Sequence, residues 1–170
     1  LDLAEASLLK FHGSDKSITL HNVIQKYLGE QLDDVKSVHS SFIKSLGDPT
    51  KINDEFTLRW YAYHLKEAGE GEKIKELLLD YNWLKNKLKY TNVYEVLRDF
   101  DITLEDDALN QVKKAIRLSA HVLSKTKTLL PTQLWGWLIG SENVEIQRLL
   151  NNITDNEHDV WLRPVRQFKE

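Results

Sequence analysis

From Asp33 onward the apolar residues of this chain recur at helical spacing almost without interruption, and little is present to stop a helix. The 170 residues hold 7 glycines and 3 prolines. A chain with that period and so few breakers is confined to helices joined by short loops. Val35, Val38, Phe42, Ile43 and Leu46 form one stripe, ended by Gly47-Asp48-Pro49. Asn53 reads as the cap of the next helix, with Asp54 and Glu55 favourable in its first turn. That helix carries Phe56, Trp60, Tyr63 and His64 and ends at Gly69. Ile74, Leu77, Leu78 and Tyr81 fall on a short helix, and Trp83, Leu84 and Leu88 continue into another. Asn92 with Glu95 resembles a capping box for Val93 to Phe100. Thr103, followed by Glu105 and Asp106, starts the longest helix, through Leu109, Val112, Ile116, Ala120 and Leu123. Pro131 suits the first turn of a helix from Leu134 to Ile139, and Ser141 and Glu142 open the last, through Ile146, Leu149 and Leu150. The expected fold is mainly all-α, an irregular α-solenoid or helical arm in which short helices stack on their neighbours.

The N-terminal stretch from Ser7 to Leu28 departs from this pattern. It predicts two short strands joined at Gly13-Ser14-Asp15, then a helix with Leu20, Val23, Ile24, Tyr27 and Leu28 on one face. A hairpin followed directly by an amphipathic helix is the wing and closing helix of a winged-helix domain. Three parts are therefore expected: residues 1–32 as the C-terminal part of a winged-helix domain, 33–155 as the helical arm, and 156–170 as a connector anchored by Trp161.

The net charge of −3 comes from 26 acidic and 23 basic residues spread along the chain. Without clustered Lys and Arg, a dedicated nucleic-acid surface is not expected. The chain has no Cys, which excludes disulfides and thiolate chemistry and fits a cytoplasmic location. No apolar stretch approaches the ~20 residues that span a bilayer, and no signal peptide opens the chain. The absence of any Met points to a piece of a longer protein.

His21, at the junction of hairpin and helix, is the one residue placed for chemistry. A histidine at a helix start can donate a hydrogen bond to a phosphate. The plainer reading, a partly buried histidine capping the helix beneath the hairpin, stays open beside it. His64 and His121 lie among apolar neighbours and read as packing residues. No His-x-x-x-His spacing, no phosphate-binding Gly-rich loop and no nucleophile elbow occurs, so neither a metal site nor an isolated enzyme is expected. Trp135 and Trp137 are two apart and cannot share a helical face. One of them should sit at an edge or be covered by a missing neighbour, which makes both interface candidates, along with Trp161 and Arg163. On residues alone, a stand-alone α-helical protein-binding module is the competing reading, distinguished by whether a P-loop is encoded upstream of Leu1.

Five motifs in order resemble the NB-ARC signalling ATPases. Leu20-His21-Asn22 is similar to the Met-His-Asp or Leu-His-Asp that closes the family's winged-helix domain, with Asn in place of Asp. That change keeps a capping oxygen and removes a negative charge. Trp60-Tyr61-Ala62-Tyr63-His64-Leu65-Lys66-Glu67-Ala68-Gly69 and Leu77-Leu78-Leu79-Asp80-Tyr81-Asn82-Trp83-Leu84 look like two helices of the family's helical domain. Arg117-Leu118-Ser119-Ala120-His121-Val122-Leu123 and Trp161-Leu162-Arg163-Pro164 complete the resemblance. It implies that His21 contacts the phosphates of ADP held by a neighbouring P-loop domain, with ADP or ATP and Mg as cofactors of the full-length protein and none for this piece. It also implies a WD-repeat propeller after residue 170 and the ATPase domain as partners. The piece would be a monomer, its parent a switchable oligomer, and neither nucleic acid nor membrane a partner.

Overall fold

The computed structural model describes residues 9–12, 17–32, 34–103 and 105–169. Two strands, β1 (Leu9–His12) and β2 (Ser17–Leu20), pair antiparallel with Leu9 opposite Leu20 and Lys10 opposite Thr19. The expected turn at Gly13-Ser14-Asp15 lies outside the described residues. Helix α1 (Asn22–Glu30) follows directly, and none of its residues is buried. Its apolar side chains Val23, Tyr27 and Leu28 are exposed, and no described residue of the hairpin or α1 belongs to the buried core.

Among the described residues nine further α-helices follow: α2 (Val35–Leu46), α3 (Glu55–Glu67), α4 (Gly71–Leu78), α5 (Tyr81–Tyr90), α6 (Val93–Asp101), α7 (Asp107–Leu118), α8 (Ala120–Leu123), α9 (Leu130–Leu138) and α10 (Val144–Asn156). Each of α3 to α7 packs on the helix before it, and α10 returns to pack on α5, α7 and α9. One continuous core results, running from Ile43 of α2 to Ile153 of α10, with Trp83, Tyr81, Leu58 and Leu84 fully buried inside it. The mainly α-helical architecture with a short N-terminal hairpin is the one the apolar period predicts.

Capping fixes where the helices start. Asn92 Oδ1 accepts from Tyr94 N and Glu95 N at the start of α6, at the position the sequence indicates. Three other starts are displaced from the expected residues. Asp54, not Asn53, caps α3 by accepting from Thr57 N at 2.6 Å. Asp106, not Thr103, caps α7 by accepting from Leu109 N at 3.0 Å, while Thr103 donates to Phe100 O at the end of α6. Asn143 caps α10, and Ser141 instead donates to Gln111 Oε1. In each case the true cap stands immediately before the first helical residue, where its oxygen reaches an amide two or three residues on.

The expected long helix through Leu123 is broken at Ser119. That residue is buried, and its hydroxyl donates to Gln133 Oε1 and accepts from Trp137 Nε1. At the other extreme, α3 ends as the sequence indicates, on Gly69 with φ 76°. There Glu70 N donates to Leu65 O and Gly69 N to Lys66 O, a paired closure that needs a left-handed residue.

Candidate functional site

His21 stands at the N-cap of α1 with an extended backbone, φ −61° and ψ 143°. Its Nδ1 accepts from Val23 N at 3.3 Å, and the side chain is exposed. An imidazole whose Nδ1 accepts carries its proton on Nε2, so the outward-facing nitrogen is a donor. The histidine therefore caps its helix without being buried beneath the hairpin. Gln25 Nε2 donates to Leu20 O at 2.9 Å and ties the first turn of α1 to the end of β2. This arrangement fits one outward hydrogen bond to an anion such as a phosphate oxygen. Among the described residues it is not joined by any cradle of backbone amides or by a lysine that would hold a nucleotide alone.

The four interface candidates meet at one place. After α10 the chain, residues 157–169, runs as an irregular strap over α9. Leu162 N donates to Thr132 Oγ1 at 3.2 Å, and Trp135 Nε1 donates to Pro164 O at 3.1 Å. Gln167 Nε2 donates to Trp137 O at 2.9 Å, and Phe168 N donates to Gly136 O at 2.7 Å. Trp135 and Trp161 lie 5.7 Å apart, and the Arg163 guanidinium sits 3.9 Å over the Trp135 ring. That is close enough for a cation–π contact. Trp137 packs edge-on against Phe168 at 5.4 Å.

The spacing argument required the two tryptophans to face different ways. Both are covered, Trp135 almost fully and Trp137 in part, by this chain's own strap. Gly136 makes the crossing possible, because a Cβ there would stand 2.3 Å from the Phe168 ring. The strap presents Val160, Leu162 and Val165 outward, all strongly exposed. No hydrogen bond, ion pair or ring contact among the described residues joins His21 to this face.

At its start the strap is held by charge. Glu157 accepts from the Tyr81 hydroxyl and from Lys85 Nζ at 2.9 Å. Burial alone would raise the Glu157 carboxyl, but Tyr81, Lys85 and the Asp159 N–H outweigh it and hold the group below the usual range. Burial first, and the Glu157 carboxylate second, push the Tyr81 hydroxyl well above its ordinary value.

Three polar groupings escaped the sequence reading. Lys87 and Asp99 form an ion pair wholly inside the core, between α5 and α6. Burial pushes Asp99 up to about 6 despite Lys87, and pushes Lys87 down despite Asp99. Lys75 bridges Asp106 at 2.6 Å and Glu145 at 3.0 Å, tying α4 to the starts of α7 and α10. The rings of His39 and His64 meet across α2 and α3. No signal in one sequence pairs residues so far apart in the chain. Among the described residues, no group of three or more His, Cys, Asp or Glu could hold a metal ion. No described helix is long and apolar enough to cross a membrane.

Compared with known protein families, residues 35–134 match the model of the APAF-1 helical domain. No curated protein and no solved structure gives a match. The matched span runs from the start of α2 into the middle of α9, leaving the hairpin, α1, α10 and the strap outside it.

Proposed function

This chain belongs to the APAF-1 helical domain family, and from that premise we propose that it is the regulatory arm of a nucleotide-switched signalling ATPase. In this reading the hairpin and α1 are the last part of a winged-helix domain. His21 donates from Nε2 to a phosphate of ADP held by a neighbouring P-loop domain, and so favours the closed state. The arm is non-catalytic. Its α2–α10 core carries the strap, and through it a sensor propeller, at a fixed distance from the ATPase. Ligand sensing or exchange of ADP for ATP and Mg then swings the unit as a rigid body.

One observation carries the reading. The family match begins at the first residue of α2, and just ahead of it an exposed histidine stands where a hairpin meets a helix, its donor nitrogen free to face a neighbour. Asn22 stands where the motif's usual Asp would, and the N-cap of α1 is His21 itself. The cytoplasm and a monomeric arm within a switchable oligomer follow from the same reading.

The test is nucleotide retention by the full-length protein after gentle purification. Native protein is expected to copurify with ADP, and His21→Ala to lose it and oligomerise more readily. Equal retention in the two forms would remove His21 from the switch. No nucleotide in either form would favour a plain binding scaffold. A strip of exposed aromatic residues on α2 and α3, Phe42, Phe56, Trp60 and Tyr63, supports that second reading.

A further inference from the structure

Helix α2 is the covalent route between the hairpin–α1 unit and the core, and it packs mainly on α3. Of its 12 residues only Ile43 is buried, while Val35, Val38 and Phe42 are exposed. Across its interface with α3, His39 Nδ1 and His64 Nδ1 lie 2.7 Å apart, with ring centroids at 4.9 Å. Both rings are half-buried. Phe42 packs on the His64 ring at 4.6 Å, and Tyr63 meets both histidines edge-on. A second polar tie is Ser40, which donates to Glu70 at 3.1 Å.

Two nitrogens at this separation share one hydrogen, so one of them must be a bare acceptor. The bond therefore exists only while the pair holds at least one unprotonated Nδ1. With a proton on both rings it is replaced by two positive charges in contact. We propose that the His39–His64 contact is a proton-sensitive joint, closed while the pair carries at most one positive charge and opened when both rings are charged, so that acidification loosens α2 and the hairpin–α1 unit it bears from the arm.

The surroundings favour the closed, neutral form. Burial first, and His39 second, push His64 below the ordinary histidine value, while Glu67 on the same helix opposes them. Glu70 offers no rescue, since it already pairs with Lys73 and accepts from Ser40. From α2, Lys44 adds positive charge beside Glu70. A histidine held low in the folded state stabilises that state above its ordinary pKa, about 6.5, and the contribution is lost as pH falls below it.

The test is amide hydrogen exchange on the intact protein at about pH 7.5 and about pH 5.5, corrected for intrinsic rates, together with NMR titration of both imidazoles. In native protein, protection of α2 is expected to fall about fivefold or more on acidification, the water-screened limit for two unit charges in contact. Amides of α9, which carries no titratable side chain, serve as the internal reference. His39→Gln keeps a donor and an acceptor without titrating, so its α2 protection is expected to change by less than about twofold. The native His64 imidazole is expected to titrate below the ordinary histidine value, and His39→Gln to raise it by removing His39 from beside it. Native α2 protection that does not move with pH, or an equal fall in His39→Gln, would overturn the proposal. A native His64 that titrates at or above the ordinary value would do the same even if the variant failed to fold.

Discussion

Gly136→Ala separates the strap from the helical core. The added Cβ would stand 2.3, 2.4 and 2.6 Å from three atoms of the Phe168 ring, against an optimal carbon separation of about 3.5–4.0 Å. The ring would have to retreat by more than about 1 Å. Its own backbone prevents this, because Phe168 N is bonded to Gly136 O at 2.7 Å, and Gln167 next to it is bonded to Trp137 O. Release therefore sacrifices two hydrogen bonds at roughly 1 kcal/mol each. It also re-exposes part of an aromatic side chain, worth about another 1 kcal/mol. Ala in place of Gly also favours α9 by about 1 kcal/mol, but equally with the strap docked or released, so that gain goes to the core alone. The balance is about 3 kcal/mol against docking, or roughly a 150-fold larger population of released strap. Trypsin reports it directly, since cleavage after Arg166 requires the docked Gln167 and Phe168 to enter the protease. The cleavage rate is expected to rise roughly 150-fold, with the melting temperature of the core unchanged or slightly raised. An unchanged cleavage rate, or a cooperative loss of the whole domain, would refute the view that the strap is separately held through Gly136.

Three other outcomes test the packing. Lys87→Ala leaves the Asp99 carboxyl unpaired in the core and is expected to cost about 3–5 kcal/mol in urea unfolding followed by tryptophan emission, whereas Lys87→Met with Asp99→Leu should lie within about 1 kcal/mol of native or above it. Tyr81→Phe removes a donor to the Glu157 carboxylate and is expected to weaken the anchored start of the strap by about 1.5–3 kcal/mol, read as protease sensitivity beyond α10. Because Glu157 is depressed in the folded state, its anchoring should hold above the ordinary glutamate value of about 4.3 and fade as pH falls below it, and Tyr81→Phe should move that loss to higher pH. Asp106→Ala deletes the cap of α7 and is expected to lower thermal stability by about 1 kcal/mol, with Asp106→Asn recovering most of it through the same amide contact.

What periodicity conveys here is local, and what it misses is long-range. Asn92 was legible as a cap because its partners, Tyr94 N and Glu95 N, lie within one turn. Asp54 and Asp106 stand among several capping residue types, and the pattern favours Asn53 and Thr103 where the structure uses Asp54 and Asp106. Lys87 sits in a lysine-rich run, Lys85-Asn86-Lys87-Leu88-Lys89, whose composition reads as solvent-facing. It is buried because Asp99, twelve residues on, comes to meet it. The break at Ser119 was invisible for the same reason, since its partners Gln133 and Trp137 belong to α9.

Trp135 and Trp137 show how far such reasoning extends. Their spacing puts them on different faces of one helix and points to an edge or a missing neighbour, whereas residues 161–168 of this same chain lie against both. The cover is an irregular segment with no period of its own, held to α9 largely by backbone groups, Phe168 N on Gly136 O and Pro164 O on Trp135 Nε1. A segment recognised through carbonyls and amides leaves no side-chain pattern to read, apart from the glycine that lets it approach and the aromatic residues that seal it. The consequence for the arm is mechanical. The strap is fixed at Glu157 to α5 and at Phe168 to α9, both within the closed core, so a pull on its distal end is resisted by those two clamps before any helix is loaded. An arm meant to transmit the position of a following domain needs such a double attachment, and an arm meant only to bind a peptide does not. Measuring whether Tyr81→Phe and Gly136→Ala are additive in strap release therefore bears on function. Additivity marks two independent clamps, and a shortfall marks one cooperative strap.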